Sequence, residues 1–122
     1  MERQISEVEP VQARKICGPA LLKLRLFVEH IVDQGDTLGL IGPRELKRIW
    51  TRHVLNCALV GVKVAGGNLI DVGSGAGFPG LIIAASRPDV FCTLVEPMSR
   101  RAHWLEAESA RLGLSNVVVL NK

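Results

Sequence analysis

The residues best suited to chemistry cluster in one short stretch. Asp71-Val72-Gly73-Ser74-Gly75-Ala76-Gly77 follows an apolar run, Asn68 to Val72, and precedes a second apolar run, Leu81 to Ser86. Between a strand and a helix, alternate glycines let the backbone turn sharply and lie close against a bound nucleotide. Pro79 suits the first turn of the following helix, whose free amide groups favour electron-rich ligand atoms. Further on, Phe91 to Glu96 reads as a buried strand ending in a carboxylate, and Pro97 fixes the departing chain. An acid there can accept hydrogen bonds from both ribose hydroxyls of an adenosine. The glycine loop and Glu96 together make a minimal adenosine site. The plainer alternative is a tight strand-to-helix turn, and three alternate glycines in this context weigh against it.

Elements must hold these residues in place, and the pattern supplies them. Pro19 and the helical spacing of Leu21, Leu24, Val28 and Ile31 predict a helix over residues 19–34, stopped by Gly35. Asp36 to Gly42 reads as a loop. Pro43 opens a second helix with Leu46, Ile49, Trp50, His53, Val54 and Cys57 as its apolar stripe, and Gly66 and Gly67 close that region. On a continuous helix Arg44, Arg48 and Arg52 fall on one polar face with Lys47 beside them. That face is a candidate for RNA phosphates, or else simply a solvated surface. Strands at Asn68–Val72, Phe91–Glu96 and Val117–Leu120, with helices at Leu81–Ser86 and Ser99–Leu112, give strand–helix–strand–helix–strand. This is half of a doubly wound, Rossmann-like α/β sheet with three parallel strands. The expected division is a helical region, residues 1–66, capping an α/β region, residues 67–122.

Composition narrows the class. The 122 residues are 48% hydrophobic and 22% charged, as in an ordinary globular domain, which excludes a disordered or collagen-like chain. No apolar stretch approaches the roughly 20 residues of a membrane span, and Met1 to Pro10 carry no apolar signal segment. A cytoplasmic location is therefore expected. Fifteen basic against twelve acidic residues give a net charge of +3, compatible with a nucleic-acid partner without demonstrating one. Cys17, Cys57 and Cys92 are isolated and odd in number, so reduced thiols are expected rather than a disulfide framework or zinc site. His30, His53 and His103 show no metal-ligand spacing. His53 and His103 read as packing or helix-face residues, and Trp50 and Trp104 as core. No nucleophile–base pair is seen, and no catalytic residue is assigned.

Two registers compete at the loop. Gly75, Gly77 and Gly80 fit the Gly-x-Gly-x-x-Gly of dinucleotide enzymes, which makes an NAD(P)-dependent oxidoreductase the rival reading. That register leaves Asp71 and Gly73 without a role. Starting at Asp71 gives Asp-x-Gly-x-Gly-x-Gly, which resembles class I S-adenosylmethionine-dependent methyltransferases. The sequence further resembles one bacterial family, the small-subunit rRNA methyltransferase G family, also called glucose-inhibited division protein B, and looks like its actinobacterial branch. The matching residues are Gly39 to Glu45, Trp50 to Cys57, Asp71 to Gly80, Glu96-Pro97 and Arg100-Arg101. The resemblance implies methyl transfer from S-adenosylmethionine to N7 of a guanine in 16S rRNA. It implies Gly73 and Phe78 as cofactor contacts, with Gly75 and Gly77 in the same loop and Glu96 on the ribose. Asp71 would order the loop, or the methionine end of the donor through water. Phe78 has a second reading, as a residue that packs under the helix. Arg100 and Arg101, just past Glu96, are expected either to contact phosphate or to cap a neighbouring helix. The resemblance also implies a sheet continuing past Lys122, so that this chain holds the N-terminal half of a domain, monomeric at full length. A non-catalytic, RNA-facing fragment is then the second rival. In such a half the strand Asn68–Val72, central in the complete sheet, becomes an exposed edge.

Overall fold

A computed structural model describes residues 5–35 and 37–122; Met1 to Gln4, and Asp36 at the head of the expected loop, lie outside the described residues. Helix α1 (Ala13–Cys17) runs through a 3-10 turn, Gly18–Ala20, into α2 (Leu21–Gln34). A short α3 (Pro43–Leu46), a π-helical segment (Ile49–Val54) and α4 (Leu55–Val62) follow. The α/β part comprises β1 (Gly67–Val72), α5 (Gly80–Ser86), β2 (Val90–Val95), α6 (Ser99–Arg111) and β3 (Val117–Leu120). The strands form one parallel sheet in the order β1-β2-β3, with β2 in the middle. This is the Rossmann-like α/β arrangement expected from the alternation of apolar runs.

Register sorts the side chains onto two faces. Leu69 pairs with Cys92, and Leu94 with Val119; this face turns towards the helices and is closed by Leu81, Ile82, Ile83 and Leu105. One core cluster runs from Ala13 to Leu112 and joins the helical region to the sheet. Phe27, fully enclosed in it, contributes about 1.5–3 kcal/mol by burial alone. The opposite face carries Ile70, Val72, Phe91, Val118 and Leu120 in register, with Ile70 68% and Val72 79% exposed. Among the described residues β1 pairs with β2 alone, and its outward face is apolar.

Two polar ties fasten the helical layer. Glu108 of α6 is fully buried, its Oε1 2.6 Å from His30 Nδ1 of α2 and 3.0 Å from Arg111 Nε. The Asn116 amide donates to the carbonyls of Ala84, Arg87 and Val90, tying the start of β3 to the end of α5.

The single helix expected from Pro43 onward is broken. Arg48 leaves helical geometry at φ −124 and ψ 16. The Glu7 carboxylate then accepts the amides of Trp50 and Thr51, each at 2.9 Å, so a distant side chain satisfies donors that a regular helix would tie internally. The π-helical segment that follows keeps Ile49, Trp50 and Val54 buried. The regular spacing from which a shared arginine face is expected is therefore interrupted at Arg48. Arg44, Lys47, Arg48 and Arg52 are nonetheless all exposed.

Candidate functional site

The glycine loop hangs from the end of β2. The amides of Gly73 and Ser74 both donate to the Val95 carbonyl, at 2.8 and 3.2 Å. Ser74 Oγ donates to the Asp71 carbonyl at 2.9 Å, and Gly77 N to the Ser74 carbonyl at 2.8 Å. Gly73 has φ +77, a left-handed conformation that glycine adopts without strain, and a Cβ there would meet nothing within 4 Å. The backbone at Gly73 thus faces open space.

Asp71 holds the loop from below. Its Oδ2 accepts the Gly80 amide at 3.1 Å. Burial pushes its carboxyl above the usual range, opposed by hydrogen bonds from Ser74 and Gly80 and assisted by the charge of Glu96. Gly80 is required by close approach, since an added Cβ would collide with Leu94 and lie 2.7 Å from Asp71 Oδ2. Cys57 lies within reach of the same charge; burial first, and Asp71 second, push its thiol up to about 11, so it stays protonated and a poor nucleophile at neutral pH.

Glu96 and the loop come together directly. Its carboxylate is 3% exposed, with Oε1 accepting Gly75 N at 2.7 Å and Oε2 accepting Met98 N at 2.9 Å. The strand-end acid is thus already bonded to the loop across which a nucleotide would lie. A carboxylate has about four acceptor positions, so two amides do not exhaust it.

Phe78 is half-buried between two rings. Phe27 meets it edge-on at 5.6 Å, and His53 stacks on it at 4.8 Å and 28°. His53 Nε2 lies 3.2 Å from Glu45 Oε2. That bond, with the charges of Arg52 and Arg48, holds the Glu45 carboxyl below its ordinary value. Trp104 is buried, and its indole N–H donates to the Ala76 carbonyl at 3.0 Å, so α6 grips the loop from the other side. The expected core positions of Trp50 and Trp104 are observed, as is the packing role of His53, while His103 is exposed.

Arg101 also makes a contact with the loop after α2. Its Nη2 donates to the Gly39 carbonyl at 3.2 Å, so this half-buried guanidinium links residues 37–42 to α6. Arg100 beside it is exposed. The links through Trp104, His53 and Arg101 escaped sequence reasoning, although a buried indole N–H requires an acceptor and marks Trp104 in advance. A separate cavity of about 310 Å³, lined by Cys17, Ala84, Ser86 and Asn116, borders the last turn of α5 and the start of β3 instead of the loop. Among the described residues no His, Cys, Asp and Glu group could hold a metal ion, the three cysteines are unpaired, and no helix is long and apolar enough to cross a membrane.

The family described as rRNA small subunit methyltransferase G matches residues 20–122. A ribosomal RNA small subunit methyltransferase G from Leifsonia xyli is 48% identical over 114 residues, covering 93% of this chain and 54% of the relative. One from Pseudarthrobacter chlorophenolicus is 48% identical over 117 residues, covering 95% and 54%. One from Mycolicibacterium gilvum is 46% identical over 111 residues, covering 90% and 49%. The chain spans about half the length of the curated relatives it matches.

Proposed function

Because the chain belongs to the rRNA small subunit methyltransferase G family, we propose that its glycine loop and Glu96 form the donor side of an S-adenosylmethionine-dependent enzyme that methylates N7 of a guanine in 16S rRNA. The observation that carries this reading is the 2.7 Å bond from Gly75 N to Glu96, which brings the strand-end acid to the loop. The residues fit an adenosine-bearing donor. Gly73 leaves open space where a Cβ would stand, and Glu96 has acceptor positions left for ribose hydroxyls. Bound there, S-adenosylmethionine supplies a methyl group activated on a sulfonium.

The chain's own residues bind and orient. Glu96 takes the ribose, Asp71 keeps the loop against α5, and Phe78 walls the loop with an apolar ring that helps keep water out. Guanine N7 carries an in-plane lone pair and no proton, so alignment does the catalytic work and no general base is called for. The exposed Arg44, Lys47, Arg48 and Arg52, with Arg100, provide charge for RNA phosphates.

Calorimetry separates the donors. Binding of S-adenosylhomocysteine with no response to NAD is expected, and binding of NAD alone overturns the reading in favour of the Gly75–Gly80 dinucleotide register. Incubation with labelled donor and small-subunit RNA, followed by detection of N7-methylguanosine, tests the substrate. A chain that binds donor and RNA without forming that product is an RNA-facing module instead.

A further inference from the structure

His53 stands at the junction of the basic surface and the glycine loop. From Gly73 to Gly80 the loop contains only small residues apart from Phe78 and Pro79, so the Phe78 ring is its one large apolar handle. Phe27 fixes the edge of that ring and His53 covers its face. Glu45, one residue from Arg44 and within the influence of Arg48 and Arg52, orients the imidazole through its Nε2. The π-helical segment delivers His53 to this place, and such segments recur where a helix is bent to aim a side chain.

We propose that His53 is a positioning residue: oriented by Glu45 and stacked on Phe78, it sets the position of the glycine loop that receives the donor. Its functional meaning rests on the donor reading given above, whereas the loop position itself is measurable without donor. Bonds to Val95, Trp104 and Asp71 hold the loop backbone on either side of Phe78, and the ring itself is held by Phe27 and His53. The ring of His53 is what matters at Phe78, and its nitrogen is what matters at Glu45.

Two substitutions separate ring from nitrogen. His53→Gln keeps a polar group for Glu45 and loses the stack; His53→Phe keeps the stack and loses the bond. Amide NMR spectra of the chain should show Gly75 and Gly77 shifted in His53→Gln and largely restored in His53→Phe, with amides of β3 unmoved. Affinity for S-adenosylhomocysteine should fall about three- to tenfold in His53→Gln and stay within about twofold in His53→Phe, the range an aromatic pair supplies. Loop amides that stay in place in a folded His53→Gln overturn the proposal. If the unaltered chain binds no S-adenosylhomocysteine but its loop amides move on substitution, the donor reading falls and the positioning role stands. Should His53→Gln fail to fold, His53→Leu, which fills the space without an aromatic face, takes its place; shifted Gly75 and Gly77 amides support the proposal, and unmoved ones overturn it.

Discussion

Replacing Glu96 by glutamine tests the centre of the site with almost no change of shape. The carboxylate accepts two backbone amides, Gly75 at 2.7 Å and Met98 at 2.9 Å, from a position only 3% exposed. Glutamine presents one oxygen and one NH2 group, so one of those amides must face another donor. A buried donor left without a partner costs about 1–3 kcal/mol. The surviving bond also loses its charge assistance, which roughly doubles such bonds. A total loss of about 2–4 kcal/mol follows, a large share of the 5–15 kcal/mol typical of a folded domain. In urea, where unfolding free energy falls by about 1–3 kcal/mol per molar, the midpoint should drop by about 1 M or more. Donor affinity reports separately, because the ribose loses an anionic acceptor worth about 1.5–3 kcal/mol. S-adenosylhomocysteine should bind roughly ten- to a hundredfold more weakly. An unmoved urea midpoint refutes the role of Glu96 in holding the loop, and an unmoved affinity refutes its assignment to the ribose.

Three further outcomes follow from the geometry. Gly80→Ala gains up to about 1 kcal/mol of helix propensity, but the collision with Leu94 and Asp71 costs about 1–3 kcal/mol. Thermal melting should show net destabilisation, relieved in a Leu94→Ala background, and an equal loss in both backgrounds removes the collision as its cause. Arg48→Ala with Arg52→Ala should weaken RNA binding and reduce the salt slope by about 1.4, the value for two phosphate contacts on a single strand; an unchanged slope in a salt titration counts against those contacts. Asp71 is held above its ordinary value of 3.8, so the folded state binds its proton more tightly than the unfolded chain does. Its stabilising contribution is full below that pH and is lost as pH rises through the raised value. Asp71→Asn, which still accepts from Gly80, should abolish that slope and be the more stable form at pH 7 by denaturant titration.

The strands were the legible part of the fold. Each is an apolar run bounded by glycine, proline or a turn, and β3 spans Val117–Leu120 as read from the sequence. The loop was legible too, because glycines at alternate positions have few other uses. What the sequence concealed depends on partners far along the chain. The break after α3 is bound up with Glu7, which reaches Trp50 and Thr51, and no local pattern announces it. The short α1 was missed because five residues make a poor helix alone, and this one depends on burying Ala13 and Cys17. The bond from Arg101 to the Gly39 carbonyl joins α6 to a loop 62 residues earlier, a distance no local pattern spans. The His53–Phe78 stack joins two motifs that were each visible, and only folding shows that they touch.

The attachment of the loop to β2 has a consequence for how the molecule breathes. β1 bears Asp71, whose carboxylate takes the Gly80 amide, so the loop is tied to the strand it leaves. β2 is bonded on both sides, and the amides of Gly73 and Ser74 are secured to its last residue, Val95. Glu96 extends the anchorage, its own amide donating to the Leu120 carbonyl of β3 at 2.9 Å. A motion of any one strand therefore leaves the glycine loop tethered through the others. The loop follows β1 in the chain, yet two of its first amides, those of Gly73 and Ser74, are anchored on β2.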